Sequence, residues 1–340
     1  MPQEKEITIY DIAKQLNISA TTVSRGLNNN PTINRNTRKK IHELAKQLGF
    51  RSNRFAINLR KKQTNTIGVI VPRLNSYFTS QVLSGMENIA TLEGYNLIIS
   101  QSSESLQKEK ANSETMFSSH VDGLLVSLSS ETQNIRHFDP FLKKKIPIIL
   151  FDRIISDEQC LGISIDNFKA GYEATKHLLK KGFRKILHIS GNPLNFMYSE
   201  RIKGYKQALS EYNIMPDAKL IITKILSEES GIEVAEAILK MKHRPDAVFS
   251  SNDACAIYCM KTLMQAGLSI PNDIGFVGFN NDPMSKVVEP NLSTINYPGY
   301  AMGEAAASQL INHLNKISDI KTTNSIILRS ELIIRASSLK

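Results

Sequence analysis

TIYDIAKQLNISATTVSRGL, residues 8–27, decides how the rest of the chain is read. Apolar residues at Ile9, Ile12, Ala13 and Leu16 keep the i, i+3, i+4, i+7 spacing of one buried helical face. Thr8 precedes them and Asp11 lies three residues on, a capping-box-like start that sets a carboxylate at the positive end of the helix. The helix runs out at Asn17, and Ile18 is placed to drop between two helices. Ser19 then caps a second helix with Thr22, not Glu, at its third position, so the reciprocal half of the box is missing. Val23 and Leu27 face inward, leaving Ala20, Thr21, Ser24 and Arg25 pointing out. Small and hydroxyl residues around one Arg suit a DNA major groove, which is wide enough to admit a helix. An αα-hairpin of an ordinary bundle is the alternative. It does not require the capping, the small Ala13 at a close crossing and the outward Arg25 together.

Charge and composition narrow the classes. The 340 residues suffice for two or three domains with their own cores. Net charge is +10, and residues 1–63 hold 13 Lys and Arg against four acids, which is +9 of it. A basic module on a nearly neutral body is the electrostatic footprint of a nucleic-acid binder; a basic face serving solubility would not be so segregated. MPQEKEITIY has no apolar run of a signal peptide, and no stretch approaches bilayer-spanning length. A cytoplasmic protein with no membrane partner is expected. Cys160, Cys255 and Cys259 fit reduced thiols, and no His or further Cys completes a metal set. No G-x-G-x-x-G, P-loop, G-x-S-x-G or H-E-x-x-H pattern occurs, and His188 lies in an apolar strand. Neither catalysis nor a metal or cofactor is expected.

After Leu27, NNNPTINRN is a turn-rich loop. Asn34 caps a third helix with Thr37, Ile41, Leu44, Ala45 and Leu48 supplying its periodicity and Gly49 ending it. Arg35, Arg38, Lys39 and Lys40 are placed to touch phosphates, contacts that fix register without reading sequence. SNRFAINLR, residues 52–60, is too short to hold a helix alone in water and is otherwise a plain linker. From Thr66, Val/Ile-rich runs alternate with amphipathic helices: TIGVIVP, YNLIIS, DGLLVSL, IPIILF, GISI, KILHIS, AVFSS and DIGFVGF. This alternation predicts parallel sheets built of βαβ units. The body also has two related halves: the helix after TIGVIVP carries LSGMENIA and the one after KILHIS carries IKGYKQA. Two doubly wound lobes would hold a ligand in the cleft between them, near the carboxyl ends of the strands.

The headpiece sequence, followed by TRKKIHELAKQLGFRSNRFAINLR, resembles the DNA-binding headpiece of the LacI/GalR family of bacterial transcription regulators. IGVIVP, VDGLLVS, PIILFDR, DNFKAGYEATKHLLKKGFRKI, ERIKGYKQAL, PDAVFSSND, GFVGFNNDP, LSTI and ELIIRAS resemble its periplasmic-binding-protein-like sensor. The fold this implies is an N-terminal all-α helix-turn-helix headpiece plus an α/β body of two doubly wound parallel-sheet lobes. The implied divisions are a headpiece over 1–51, a hinge over 52–63 and a ligand-sensing and dimerisation domain over 64–340. Its N-lobe would take about 64–165 and 297–326, its C-lobe about 166–296 and 327–340, with lobe crossings near Ile165, Asn296 and the C-terminus. The chain ends soon after ELIIRAS, leaving a homodimer as the expected assembly.

The resemblance also implies sites. Thr8, Ser19, Ala20, Thr21, Thr22, Ser24, Arg25, Asn28, Asn34 and Arg38 would meet double-stranded operator DNA. A hinge folding on that DNA would add Asn53, Ala56 and Leu59, with Leu59 wedged into the central minor groove. Two departures fall here: Ser52 stands where the family often has proline, and Phe55 is bulkier than the usual aliphatic residue. Tyr77, Phe78, Asp152, Arg201, Asn252, Asp253 and Asn280 would bind a small-molecule effector, a sugar or sugar derivative before a purine. Each has a plainer alternative: Arg201 and Asp253 as a structural ion pair, Phe78 as core. Position 280 is often Asp in the family, so Asn280 removes one charge. The implied protein is an effector-controlled repressor. A transporter's solute-binding protein, or a two-lobed kinase or dehydrogenase, would share the lobes. The basic headpiece opposes the first, and the missing nucleotide motifs oppose the second.

Overall fold

Three helices, α1 (Ile9–Leu16), α2 (Ala20–Leu27) and α3 (Arg35–Gln47), close over one small core in the computed structural model, which describes residues 7–50, 63–155 and 157–340. At the start of α1 the Asp11 carboxylate accepts from the Thr8 amide at 2.8 Å and from its hydroxyl at 2.7 Å. Asn17 ends the helix in the left-handed region, φ +53°, and Ile18 donates back to Ala13 O. Ser19 Oγ accepts from Thr22 N at 3.1 Å, and the two hydroxyls bond at 2.8 Å, so a Ser–Thr pair stands where a capping box would put Glu. Gly49, φ +65°, closes α3 in a Schellman motif: Phe50 N bonds Ala45 O and Gly49 N bonds Lys46 O. Ile12, Val23 and Ile41 are fully buried. The close crossing is at Gly26, where an added Cβ would lie 2.4 Å from Ile41 Cδ1.

Residues 65–340 form a second unit with two six-stranded sheets. The first contains β1 (Thr66–Val71), β2 (Asn96–Gln101), β3 (Gly123–Val126), β4 (Ile148–Phe151) and β5 (Leu161–Ile165). The second contains β6 (Ile186–Ser190), β7 (Ile221–Thr223), β8 (Ala247–Ser250), β9 (Gly275–Asn280) and β10 (Ser293–Asn296). The chain then returns to the first sheet as β11 (Ser325–Leu328) and to the second as β12 (Glu331–Ile333). Strand orders are β11-β5-β4-β3-β1-β2 and β12-β10-β9-β8-β6-β7, all parallel except β10 against β12. Strands covered on both faces read as unbroken apolar runs, which is why β1, β3, β4, β5, β6, β8 and β9 stand out in the sequence; the exposed edge strand β2 joins them through Leu97, Ile98 and Ile99. The other four escape that filter: β7, β11 and β12 are short, part-exposed edge or near-edge strands, and β10 opens with Ser293 and Thr294.

The order of each sheet reverses once, between β1 and β3 and between β6 and β8. Chains leaving such a switch point diverge and open a crevice at the carboxyl edge. Helix α4 (Tyr77–Leu92) follows β1. Helix α6 (Asn167–Lys180), α5 being Leu106–Ser118, follows β5, and α7 (Phe196–Glu211) follows β6. Further on come α8 (Glu228–Lys240), α9 (Asp253–Gln265) and α10 (Gly299–Leu314). The two halves repeat one packing device. An added Cβ at Gly85 would sit 2.2 Å from Tyr300 O, and at Gly303 1.9 Å from Val82 O, so α4 and α10 touch backbone to backbone. Gly204 and Gly171 do the same for α7 and α6, at 2.1 Å from Phe168 O and 2.3 Å from Arg201 O. The glycines of LSGMENIA and IKGYKQA are therefore crossing points.

Candidate functional sites

On the headpiece, Thr21 and Arg25 stand exposed on α2, as the helical spacing predicts. Ala20 does not: it is half-buried against the headpiece core, since the first turn of α2 leans on α1. Several polar side chains expected to meet DNA are also bonded within the headpiece. Thr22 is paired with Ser19, Asn28 donates to Ser24 O at 2.8 Å, and Asn34 accepts from Asn36 N at 2.8 Å. Arg38 Nη1 reaches Asn29 O at 3.1 Å, tying α3 to the loop after α2. Ser24 is half-buried and Thr8 is engaged by Asp11. Tyr10 at the start of α1 is 71 % exposed, an aromatic side chain that the headpiece core does not use and that buried periodicity therefore does not mark. Asn53, Ala56 and Leu59, with the hinge 52–63, fall on residues 51–62, outside the described ones.

In the body, both switch points contribute to one cluster. Arg201, on α7, is 1 % exposed. Its Nε donates to Asn167 Oδ1 at 2.9 Å and its Nη1 to Ser251 O at 3.1 Å, while Nη2 is buried with no hydrogen-bond partner. The guanidinium lies 3.5 Å over the Phe279 ring and within 6 Å of the Tyr198 and Tyr297 rings. Burial pulls its pKa down from the ordinary arginine value, against the attraction of the two phenols and Asp152. Asp152 ends the FDR strand in the left-handed region, φ +60°. It accepts from Tyr297 Oη at 2.6 Å and Ser127 Oγ at 3.2 Å. Phe78 stacks on Tyr297 with ring centroids 4.3 Å apart, so it faces the cluster, and Tyr77 beside it is 43 % exposed.

The remaining expected residues have structural partners. Asn252 caps α9 by accepting from Cys255 N at 2.9 Å and donates to Leu226 O at 2.7 Å. Asp253 is fully buried, with Oδ1 accepting from Thr294 at 2.7 Å and Oδ2 from Asp282 N at 2.7 Å. Burial, with the nearby Asp282 charge, pushes its pKa up to about 8. The ion pair between Arg201 and Asp253 is not formed; each is held by other partners. Asn280 sits at the end of β9 with φ +110°, where its amide bonds the Asp282 carboxylate, itself raised by burial to about 6.

Residues the sequence did not single out complete the cleft. Tyr297 follows β10 and joins the two sheets: it bonds Asp152 of the first and lies edge-on to Phe279 of the second. Asn167 relays Arg201 to Ser164 at 3.3 Å, and Ser164 bonds Asp152 O at 3.4 Å. Arg153, next to Asp152, grips Glu104 with both Nη atoms, at 2.5 and 2.9 Å. Burial works to raise the Glu104 pKa, yet this fork holds it below its usual value. His188 is core: it stacks on Phe249 at 4.5 Å and Tyr205 at 5.2 Å, and burial takes it down to about 4. Among the described residues no group of His, Cys, Asp or Glu could hold a metal ion, and no helix is long and apolar enough to cross a membrane.

Residues 8–53 match the model of bacterial regulatory proteins of the lacI family, and 175–338 match that of the periplasmic binding protein-like domain. Catabolite control protein A of Priestia megaterium is 34% identical over 313 residues, 91% of this chain and 93% of that protein. The HTH-type transcriptional repressor PurR of Vibrio atlanticus is 31% identical over 312 residues, 90% of this chain and 92% of that protein. These relatives are regulators, not enzymes. Among solved structures, the transcription regulator CcpA of Lactococcus lactis aligns with TM-score 0.73 at 29% identity, over 81% of this chain and 99% of that one. The lac repressor dimer bound to operator and the anti-inducer ONPF aligns with TM-score 0.86 over 99% and 100% of the two chains, and at 22% identity shows the shared fold.

Proposed function

We propose, for a chain that belongs to the LacI family of bacterial transcription regulators, a homodimeric repressor whose operator affinity is set by a sugar or sugar derivative held between the sheets of the body. Residues 1–51 would act as the headpiece, 52–63 as the hinge and 64–340 as the sensor. The observation that carries the effector half is Arg201: a buried guanidinium at a switch point with one amino group unbonded. Single donors spread around aromatic walls (Phe78, Phe279, Tyr198 and Tyr297) suit a hydroxyl-bearing ring better than a planar base with its hydrogen bonds at one edge. The chain from Arg201 through Asn167 and Ser164 to Asp152 runs across the first connection between the sheets. A ligand pulling on Arg201 would bias that connection, and coupling to DNA must be reciprocal. Apolar surface for a second copy is present on β2, where Ile98 and Ile99 are exposed, and beside α9, at Met264, Met284 and Val287.

In this reading the headpiece pair enters successive major grooves of a near-palindromic site, Arg25 reads a base and Tyr10 lies near the backbone. Selection of random duplex DNA by the purified protein, with and without a panel of sugars and purines, tests the proposal. The expected result is a pseudo-palindrome whose binding weakens steeply with salt, because released counterions follow the basic headpiece. Sequence-blind binding under every condition would refute it.

A further inference from the structure

Charge in the body is segregated as sharply as charge in the whole chain. Residues 65–340 sum to +1, yet two short stretches, KKGFRK at 180–185 and KMKHRPD at 240–246, together carry +6. They are the turns that lead into β6 and β8, which pair in parallel, so they lie side by side at the amino edge of the second sheet. The Asp246 carboxylate stitches them together by accepting from Arg184 N and Lys185 N, each at 2.8 Å, and Lys185 Nζ donates to His243 O. Lys340 joins them, its ammonium 4.7 Å from the centre of the Phe183 ring. Lys180, Lys181, Arg184, Lys240, Lys242 and Arg244 are exposed, and among the described residues none of these six forms an ion pair. The other loops of that edge are nearly balanced, with Lys219, Arg335 and Lys340 against Glu211, Asp217, Asp273 and Glu289.

The carbonyl end of a helix attracts cations, and Arg184 and Arg244 serve α6 and α8 in that way, donating to Leu179 O at 2.8 Å and Leu239 O at 3.2 Å. That role takes one cation per helix end and leaves four lysines with no task in the fold. Gathering like charges destabilises the compact state, and a polyanion would offset the cost. The amino edge of the first sheet has the ordinary arrangement: Lys143, Lys144 and Lys145 share it with Asp122, Asp157, Glu158 and Asp319. The exposed large apolar side chains at the basic edge are Met215 and Leu339, with no exposed Phe or Tyr. Single-stranded RNA is held by stacking on aromatics, and protein partners by aromatic or apolar anchors; a duplex is gripped through its phosphates. We propose that this edge is a sequence-blind docking surface for duplex DNA, with which a protein seated on its operator holds a second DNA segment. The headpiece is tethered to β1, in the other sheet, so the two basic surfaces belong to different lobes of the body. The bridging rests on the headpiece reading given above.

The test uses the full chain on beads carrying the duplex recovered by selection, with that duplex in excess so that every headpiece is engaged. A fluorescent duplex of random sequence is then added, and its capture is measured per protein retained. The parent should capture it. Four phosphate contacts carry a salt slope of about −3.6, so capture should fall roughly 150-fold from about 50 to 200 mM salt. The combined variant Lys180→Gln, Lys181→Gln, Lys240→Gln, Lys242→Gln changes side chains that make no hydrogen bond or ion pair among the described residues. It should capture at least ~tenfold less at low salt while staying on the beads as the parent does. The four matching changes to Arg should keep capture. No capture by the parent, or equal capture by the Gln variant, would overturn the proposal. So would capture abolished by phosphatidylserine vesicles or poly(U) RNA but not by unlabelled duplex at equal phosphate, which would give the edge to a membrane or to RNA. A failed headpiece leaves no protein on the beads, whereas a failed edge leaves protein there without the second duplex.

Discussion

Replacing Gly204 with alanine places two known effects in opposition. In an exposed helix the change would stabilise, since alanine gains about 1 kcal/mol in helix propensity. Here the new Cβ would lie 2.1 Å from Phe168 O and 2.6 Å from Tyr172 N, both backbone atoms of α6 that cannot rotate away. Carbon–oxygen contacts start near ~3.3 Å, so α6 and α7 must part locally by about 1.2 Å. Overpacking of this kind costs about 1–3 kcal/mol, and a rigid backbone neighbour puts the cost at the upper end. The same crossing is spanned by the 2.9 Å bond from Arg201 Nε to Asn167, which the separation would stretch beyond hydrogen-bond range. Losing a bond to a charged group adds about 1.5–3 kcal/mol. The net expectation is a loss of about 3.5–5 kcal/mol, or roughly 6–10 °C in the melting temperature of the body. Differential scanning calorimetry of the full chain reads this loss, and effector titration on the folded variant should show weakened binding. A Gly204→Ala protein as stable as its parent, with unchanged ligand affinity, would show that the backbone contact and its link to Arg201 were misjudged.

Other perturbations isolate single claims. Arg25→Ala should cost about 1–3 kcal/mol of operator binding and relax preference at one base pair; an equal loss on all sequences would mark a phosphate contact instead. Ser19→Ala removes the cap on Thr22 N and should lower headpiece stability by about 1 kcal/mol, followed by circular dichroism, with Ser19→Gly closer to the parent. His177 Nε2 is hydrogen-bonded to Ser338 Oγ at 2.7 Å, and burial, helped by Lys181 and Lys180, lowers its pKa to about 4. A folded pKa below the unfolded value makes its contribution full above about pH 6.5 and lost as pH falls toward 4. The melting-temperature deficit of His177→Gln should therefore shrink between pH 7.5 and 4.5; a constant deficit would contradict the neutral, buried histidine.

The sequence alone determined the headpiece and the architecture of the body. Caps at Thr8, Ser19 and Asn34, the i, i+4 pairing of Val23 with Leu27 and the alternation of apolar strands with helices act over a few residues, so they survive in one dimension. The location of the positive charge is likewise a property of the chain. The tertiary structure decided which polar groups stay available. Asn252 and Asp253 read as ligand contacts in SND, and folding adds a cap for the first and a bond from a threonine 41 residues away for the second. Tyr297 carries no signal in its own neighbourhood, yet it governs Asp152 from 145 residues away. Ala20 reads as outward on a lone helix and is half-buried once α1 is beside it. The physical reason is the same in each case. Periodicity is set by local geometry, whereas a buried donor or acceptor is satisfied by whatever group folding brings within about 3 Å, and sequence spacing does not encode that distance.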